Sequence, residues 1–169
     1  MSKIVPALIA PLFLAAALAL SGCGFTPLYA TPGLSGGLAS IQVVAPEGRM
    51  GYLLRESLDD EFAHQPGETP AYRLELSLDQ TRTPLGLRVD DVADRYQVTM
   101  AVTYALVDIA SGQVATRGQA SSFVSYDVAG QPYQAIAARQ DVQQRAANEV
   151  AHRIQLDLAR WFVARSHAG

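Results

Sequence analysis

Two runs of strict alternation constrain this chain more than anything else in it. Tyr72, Leu74, Leu76 and Leu78 alternate with Arg73, Glu75, Ser77 and Asp79, and Tyr96, Val98, Met100, Val102, Tyr104 and Leu106 alternate with Gln97, Thr99, Ala101 and Thr103. Successive side chains of a strand point to opposite faces. Each run therefore makes a strand with one apolar and one polar face, the pattern of a sheet buried on one side. Such a sheet needs a second layer over its apolar face. Between Gly48 and His64 the residues Met50, Leu54, Leu58 and Phe62 recur every four positions, which predicts an amphipathic helix closed by Pro66-Gly67. From near Pro132 to about Ala164, Val142, Ala146, Val150, Ile154, Leu158, Trp161 and Phe162 form a second helical stripe. Asp141 with Arg145 and Glu149 with Arg153 are i,i+4 pairs, acid first, the favourable order on a helix, and Pro132 suits a first turn.

Two further strands complete the pattern. Leu38 to Ala45 is short and ended by Pro46; Val114 to Tyr126 follows a turn over Asp108 to Gln113 that contains Ser111-Gly112. The faces of the latter strand are weakly distinguished, because Gly118, Ala120 and Ser122 stand where large apolar residues are expected. The order is β-α-β-β-β-α. The fold class that buries both stripes is α+β, a two-layer sandwich of a four-stranded mixed sheet with two helices on one face. The helix joining the first two strands makes them parallel, and the rest form an antiparallel meander.

The other sheet face carries Arg73, Glu75, Ser77, Asp79, Gln97, Thr99, Thr103, Arg117, Gln119, Ser121 and Ser125. It reads either as an ordinary solvated face or as a face that fits a second polar surface, such as the inside of a large barrel. A loop is expected from Thr81 to Asp94, where Leu85, Leu87 and Val89 lie among Arg82, Arg88 and Arg95. Interleaved arginine and leucine suit a ligand with phosphates and acyl chains. They equally suit a loop that covers the sheet edge.

The N-terminus is of another kind. Lys3 precedes an unbroken apolar run from Ile4 to Leu20, interrupted in shape by Pro6 and Pro11, and then comes Leu20-Ser21-Gly22-Cys23. A positive start, an apolar core and small residues at the exit describe an export signal; the run is short for a membrane span, which needs about 20 residues. Small residues directly before a cysteine resemble the bacterial lipobox, in which the thiol becomes a thioether to diacylglycerol and the cysteine becomes residue one, N-acylated in turn. Cys23 is the chain's one cysteine, which lipidation explains and disulfide chemistry does not. The expected organisation is thus a lipoprotein signal peptide over 1–22, a lipidated N-terminus and tether over 23–37, rich in turn formers from Thr31 to Gly37, and one α+β domain over 38–169. Gly24, in place of Asp, directs such a protein to the outer membrane by the sorting rule of enterobacterial lipoproteins.

Of the 13 basic residues one is Lys3; the other twelve are arginine, set against 16 acids. That balance excludes a basic nucleic-acid binder. Catalytic patterns are missing too. His64, His152 and His167 show neither HExxH spacing nor a cysteine partner, and neither Gly-x-Ser-x-Gly nor a Walker loop occurs. No metal, no cofactor beyond the acyl groups and no enzymatic activity are expected.

Cys23-Gly24-Phe25-Thr26-Pro27-Leu28-Tyr29 resembles the mature opening of the LPS-assembly lipoprotein family LptE, alphaproteobacterial type. Gly48-Arg-Met-Gly-Tyr-Leu-Leu-Arg-Glu is similar to that family's first helix, Arg95-Tyr-Gln-Val-Thr-Met to its third strand, and Ala138-Arg-Gln-Asp-Val leads into a long closing helix as in the family. The resemblance implies an outer-membrane lipoprotein, held on the periplasmic side, that plugs and helps assemble the barrel LptD and helps deliver lipopolysaccharide to the outer leaflet. It also implies that lipopolysaccharide meets basic residues, for which position nominates Arg88, then Arg82 and Arg95, with aspartates close by. A second class of protein with a lipobox and a small α+β domain is the lipid-binding auxiliary lipoprotein of an envelope ABC transporter.

Overall fold

The computed structural model describes residues 34–64, 67, 69–87, 93–127 and 132–167. Its elements are α1 (Leu34–Ala39), β1 (Ile41–Val44), α2 (Arg49–Glu61), β2 (Tyr72–Leu87), β3 (Ala93–Asp108), β4 (Val114–Asp127) and α3 (Pro132–Ser166). The strands lie in the order β1-β2-β3-β4. β1 runs parallel to β2, with Ile41 beside Tyr72, and the other pairs are antiparallel. This is the expected α+β arrangement of a four-stranded mixed sheet with helices packed on it.

Three details depart from expectation. The first is an additional helix. Leu34 to Gly37, part of the stretch expected to serve as a tether, opens α1, although Gly36 and Gly37 are poor helix formers. Tertiary contact offsets their cost: Leu34 and Leu38, four apart, are both buried. Gly37 rests on the Phe162 ring, where a Cβ would sit 3.1 Å from the ring carbons. The second is β1, which is shorter than the strand expected over 38–45 because α1 takes its start. The third is the expected loop over 81–94. Most of it is strand, since β2 runs on to Leu87 and β3 begins at Ala93. Pairing continues through Arg82 with Val98, Thr83 with Gln97 and Pro84 with Tyr96, and the register shifts on either side of Gly86. Both faces of Gln80-Thr-Arg-Thr-Pro84 are polar, so alternation carries no mark there, and the proline and glycine that suggest a loop instead produce a bulge.

The helical stripes are the core. Leu54, Leu58, Val142, Ala146, Val150, Ile154 and Leu158 are fully buried, as are Leu74, Met100 and Leu106 on the facing sheet. α2 enters through Gly48, whose φ is 102°. Its next turn crowds Pro46 so closely that a Cβ on Gly51 would stand 1.8 Å from the Pro46 carbonyl oxygen. Polar side chains stitch α2 to α3. Arg49 Nε donates to Gln143 Oε1 at 3.2 Å, Ser57 Oγ to Asn148 Oδ1 at 2.8 Å, and Gln155 Nε2 to the Glu61 carbonyl at 3.1 Å.

α3 also explains the weak faces of β4. It rides close over that strand, and Ser122, fully buried, donates its hydroxyl to the Ala146 carbonyl at 3.2 Å. Gly118 makes room for Tyr104, whose hydroxyl a Cβ would meet at 2.3 Å. The small residues are where the second layer sits nearest. Tyr104 Oη reaches Asp157 Oδ2 at 3.5 Å. Burial, reinforced by the charge and hydrogen bond of Asp157, pushes the phenol up to about 12.

Candidate functional site

Among the described residues, helices cover one side of the sheet and leave the other open. Its register sets the odd-numbered residues of β2, β3 and β4 in rows: Glu75–Ala105–Arg117, Ser77–Thr103–Gln119, Asp79–Ala101–Ser121 and Thr81–Thr99–Phe123. Most of these side chains are short. Arg73 and Glu75 pair with each other at 2.8 Å. A groove of about 690 Å³ follows the two central rows and turns over the β4 edge to α3, where Arg153, Leu156, Asp157 and Arg160 line it. Arg153 crosses that edge and donates to the Ser121 carbonyl at 2.7 Å, besides pairing with Glu149. Phe123 stands on this polar face 60% exposed. Nothing in the composition singles Phe123 out, but alternation along β4 from Arg117 places it with the polar set.

The second feature is the far end of the β2–β3 hairpin, where the expected arginines lie. The guanidinium carbon of Arg82 sits 4.4 Å from the Tyr96 ring centroid, and Tyr96 stacks on Tyr126 at 5.9 Å. Arg95 Nε meets Asp127 Oδ1 at 2.7 Å, and that guanidinium holds the Asp127 carboxyl below the usual carboxylate range. The register separates the two: Arg82 lies on the face of Tyr96, Val98 and Tyr126, and Arg95 lies on the opposite face with Gln97 and Asp127. Each already has a partner: an aromatic ring for one, a carboxylate for the other. Arg88 and Cys23 lie outside the described residues.

The histidines are engaged structurally. His64 Nδ1 is 3.0 Å from the Ala39 carbonyl and so ties the end of α2 to α1. His152 faces Glu61 at 3.4 Å across α2 and α3, and His167 contacts the Val163 carbonyl at 2.7 Å. Among the described residues no three His, Cys, Asp or Glu side chains gather as a metal site would require. No helix of the described residues is long and apolar enough to cross a membrane.

The family model described as "LptE: Lipopolysaccharide-assembly" matches residues 38–158, well over half of the chain. The chain belongs to the LptE family. A solved structure of a candidate lipoprotein from Caulobacter crescentus CB15 is 50% identical, with 79% of this chain and 97% of that one covered and a TM-score of 0.70. Rare lipoprotein B from Shewanella oneidensis shares the fold at 17% identity, covering 75% of this chain and 97% of its own, TM-score 0.54. A minor lipoprotein from Acinetobacter baumannii does so at 14% identity, covering 71% and 88%, TM-score 0.52. Among curated proteins no sequence matches. LptE membership assigns the chain to lipopolysaccharide assembly in the cell envelope, in a family of non-enzymatic lipoproteins.

Proposed function

We propose that this LptE-family protein is an outer-membrane lipoprotein, anchored through acyl groups on Cys23, that plugs the LptD barrel, aids its assembly and helps pass lipopolysaccharide to the outer leaflet. The observation that carries the reading is the open sheet face. It is mostly polar, most of its side chains are short, and among the described residues they are largely exposed. A barrel lumen is polar as well, and a face made mostly of hydroxyls and amides meets it with few charges to compensate. Acylation at Cys23 supplies residence at the membrane, since several acyl chains, at about 0.8 kcal/mol per buried CH₂, hold a protein there where one chain does so marginally.

The lipopolysaccharide part is assigned to the hairpin end, where Arg82 and Arg95 stand on opposite faces. Arg82 and Arg95, with Arg88 between them in sequence, are the proposed contacts for lipid phosphates. The pairing of Arg95 with Asp127 means that a phosphate there has to displace a carboxylate. Purification of the full-length lipoprotein from membranes in mild detergent, with partners identified by mass spectrometry, tests the whole reading. An outer-membrane β-barrel at near one-to-one stoichiometry is expected. Recovery with an inner-membrane permease in its place refutes it and favours the transporter auxiliary. Intact-mass analysis of the mature N-terminus should find Cys23 first and acylated; an unmodified Cys23 removes the anchor.

A further inference from the structure

Two side chains of β4 stand out on the open face. Phe123 exposes 60% of its surface among Thr81, Thr99, Ser121 and Ser125. A lone exposed aromatic is unremarkable by itself. Its counterpart is Arg117, exposed on the same face six residues away. Arg73, Arg95, Arg145, Arg153 and Arg160 each engage a carboxylate. No such pair holds Arg117 among the described residues. The two groove rows, Ser77–Thr103–Gln119 and Asp79–Ala101–Ser121, lie between the Arg117 row and the Phe123 row. An aromatic ring and a guanidinium, the residue types that dominate interface energetics, therefore flank a hydroxyl-rich trough, about 20 Å apart at roughly 3.3 Å per residue.

We propose that Phe123 and Arg117 are the two anchors by which this face grips the polar lumen wall of the barrel, with the contact continuing over the β4 edge onto the α3 flank. The inference rests on the functional reading above and adds the surface and the residues. Its geometry favours a concave partner. Three strands about 4.8 Å apart, of 16, 16 and 14 residues, present a footprint of about 700 Å², short of the roughly 800 Å² per partner of a stable interface. A flat partner, including a second copy laid face to face, covers too little. A wall that curves around the β4 edge also meets Arg153, Leu156 and Arg160, which line the groove there. Charge points the same way. Arg73 and Arg117 balance Glu75 and Asp79, so the face exerts little net field and suits a near-neutral surface. That surface would offer one carboxylate for Arg117 and an apolar cleft for Phe123.

The test uses the full-length lipoprotein co-expressed with its barrel and purified in mild detergent, scored as barrel retained per lipoprotein. Phe123→Asp should lower retention at least tenfold and Arg117→Glu about threefold, with thermal midpoints unchanged because both side chains are exposed. Tyr52→Asp, equally exposed on α2 in the helix layer, should retain the wild-type ratio. Full retention by both Phe123→Asp and Arg117→Glu overturns the inference and leaves the functional reading standing. So does a lipoprotein dimer that Phe123→Asp dissociates while the barrel stays bound. Absence of any barrel with the wild type overturns the functional reading, and this inference with it. Should Phe123→Asp lower the thermal midpoint, Arg117→Glu alone decides, since its side chain takes no part in the fold.

Discussion

Two glycines and a tyrosine carry more of this structure than their size suggests. Gly118 leaves the space that the Tyr104 ring fills, and Gly51 allows α2 to pass the Pro46 carbonyl. Gly118→Ala should destabilise the domain by about 1–3 kcal/mol, because a buried ring has to leave its place; denaturant midpoints measure it. Gly51→Ala should cost at least as much, since its obstacle is backbone and cannot rotate aside. Tyr104 adds a pH dependence. Its phenol ionises near 12 in the fold and near 10 when exposed. The unfolded chain therefore releases that proton first. The stability due to this shift is complete below pH 10 and is lost as pH rises through about 12. In Tyr104→Phe the loss over that window should disappear from pH-dependent unfolding curves. At this scale the sequence was readable where residues are large: every apolar residue of the two alternating runs faces the core side. It was opaque where residues are small. A glycine in a strand does not reveal whether it is a bulge, a gap or a seat for a neighbour's ring, and Gly118 proved to be the last.

At the scale of elements, β4 and the hairpin are the instructive cases. Ser122 is small because α3 lies on it, so Ser122→Val should cost about 1–3 kcal/mol through overpacking and the lost hydrogen bond to Ala146. β4 is also a sheet edge, which Arg153 guards by reaching across to the Ser121 carbonyl. Removing that guard in Arg153→Ser should raise self-association of the protein in detergent, visible in sedimentation, since an uncovered edge is a template for pairing. At the hairpin end, the Asp127 carboxyl is depressed by Arg95. Its contribution is present above the ordinary carboxylate pKa and fades as pH falls through the lower folded value. Amide exchange near Tyr126 should therefore quicken in strong acid, and Asp127→Asn should show the quick rate already at neutral pH. The long helix was legible because its stripe persists over five turns. The hairpin extension was not, because polar residues on both faces erase the period of two, and α1 was not, because its glycines contradict a helix that only contacts with α3 and the core make favourable.

Taken as a whole, the described domain is a two-layer body whose interior is settled by one side of its sheet. Layer order and strand direction followed from the alternation and the connecting helix, because few arrangements bury one apolar face and two stripes at once. The open face was readable as polar, and its purpose was not, since solvated faces and contact faces share a composition. Phe123 and Arg117 become distinct once register puts them on either side of one groove. Cladding on a single side has a further result. The uncovered rows contribute little to the interior, so they can be rewritten one at a time without unsettling the framework beneath. On the function proposed above, relatives of this chain are thereby free to match differently upholstered pores while keeping the same skeleton, and fidelity to a given companion becomes a property of the veneer.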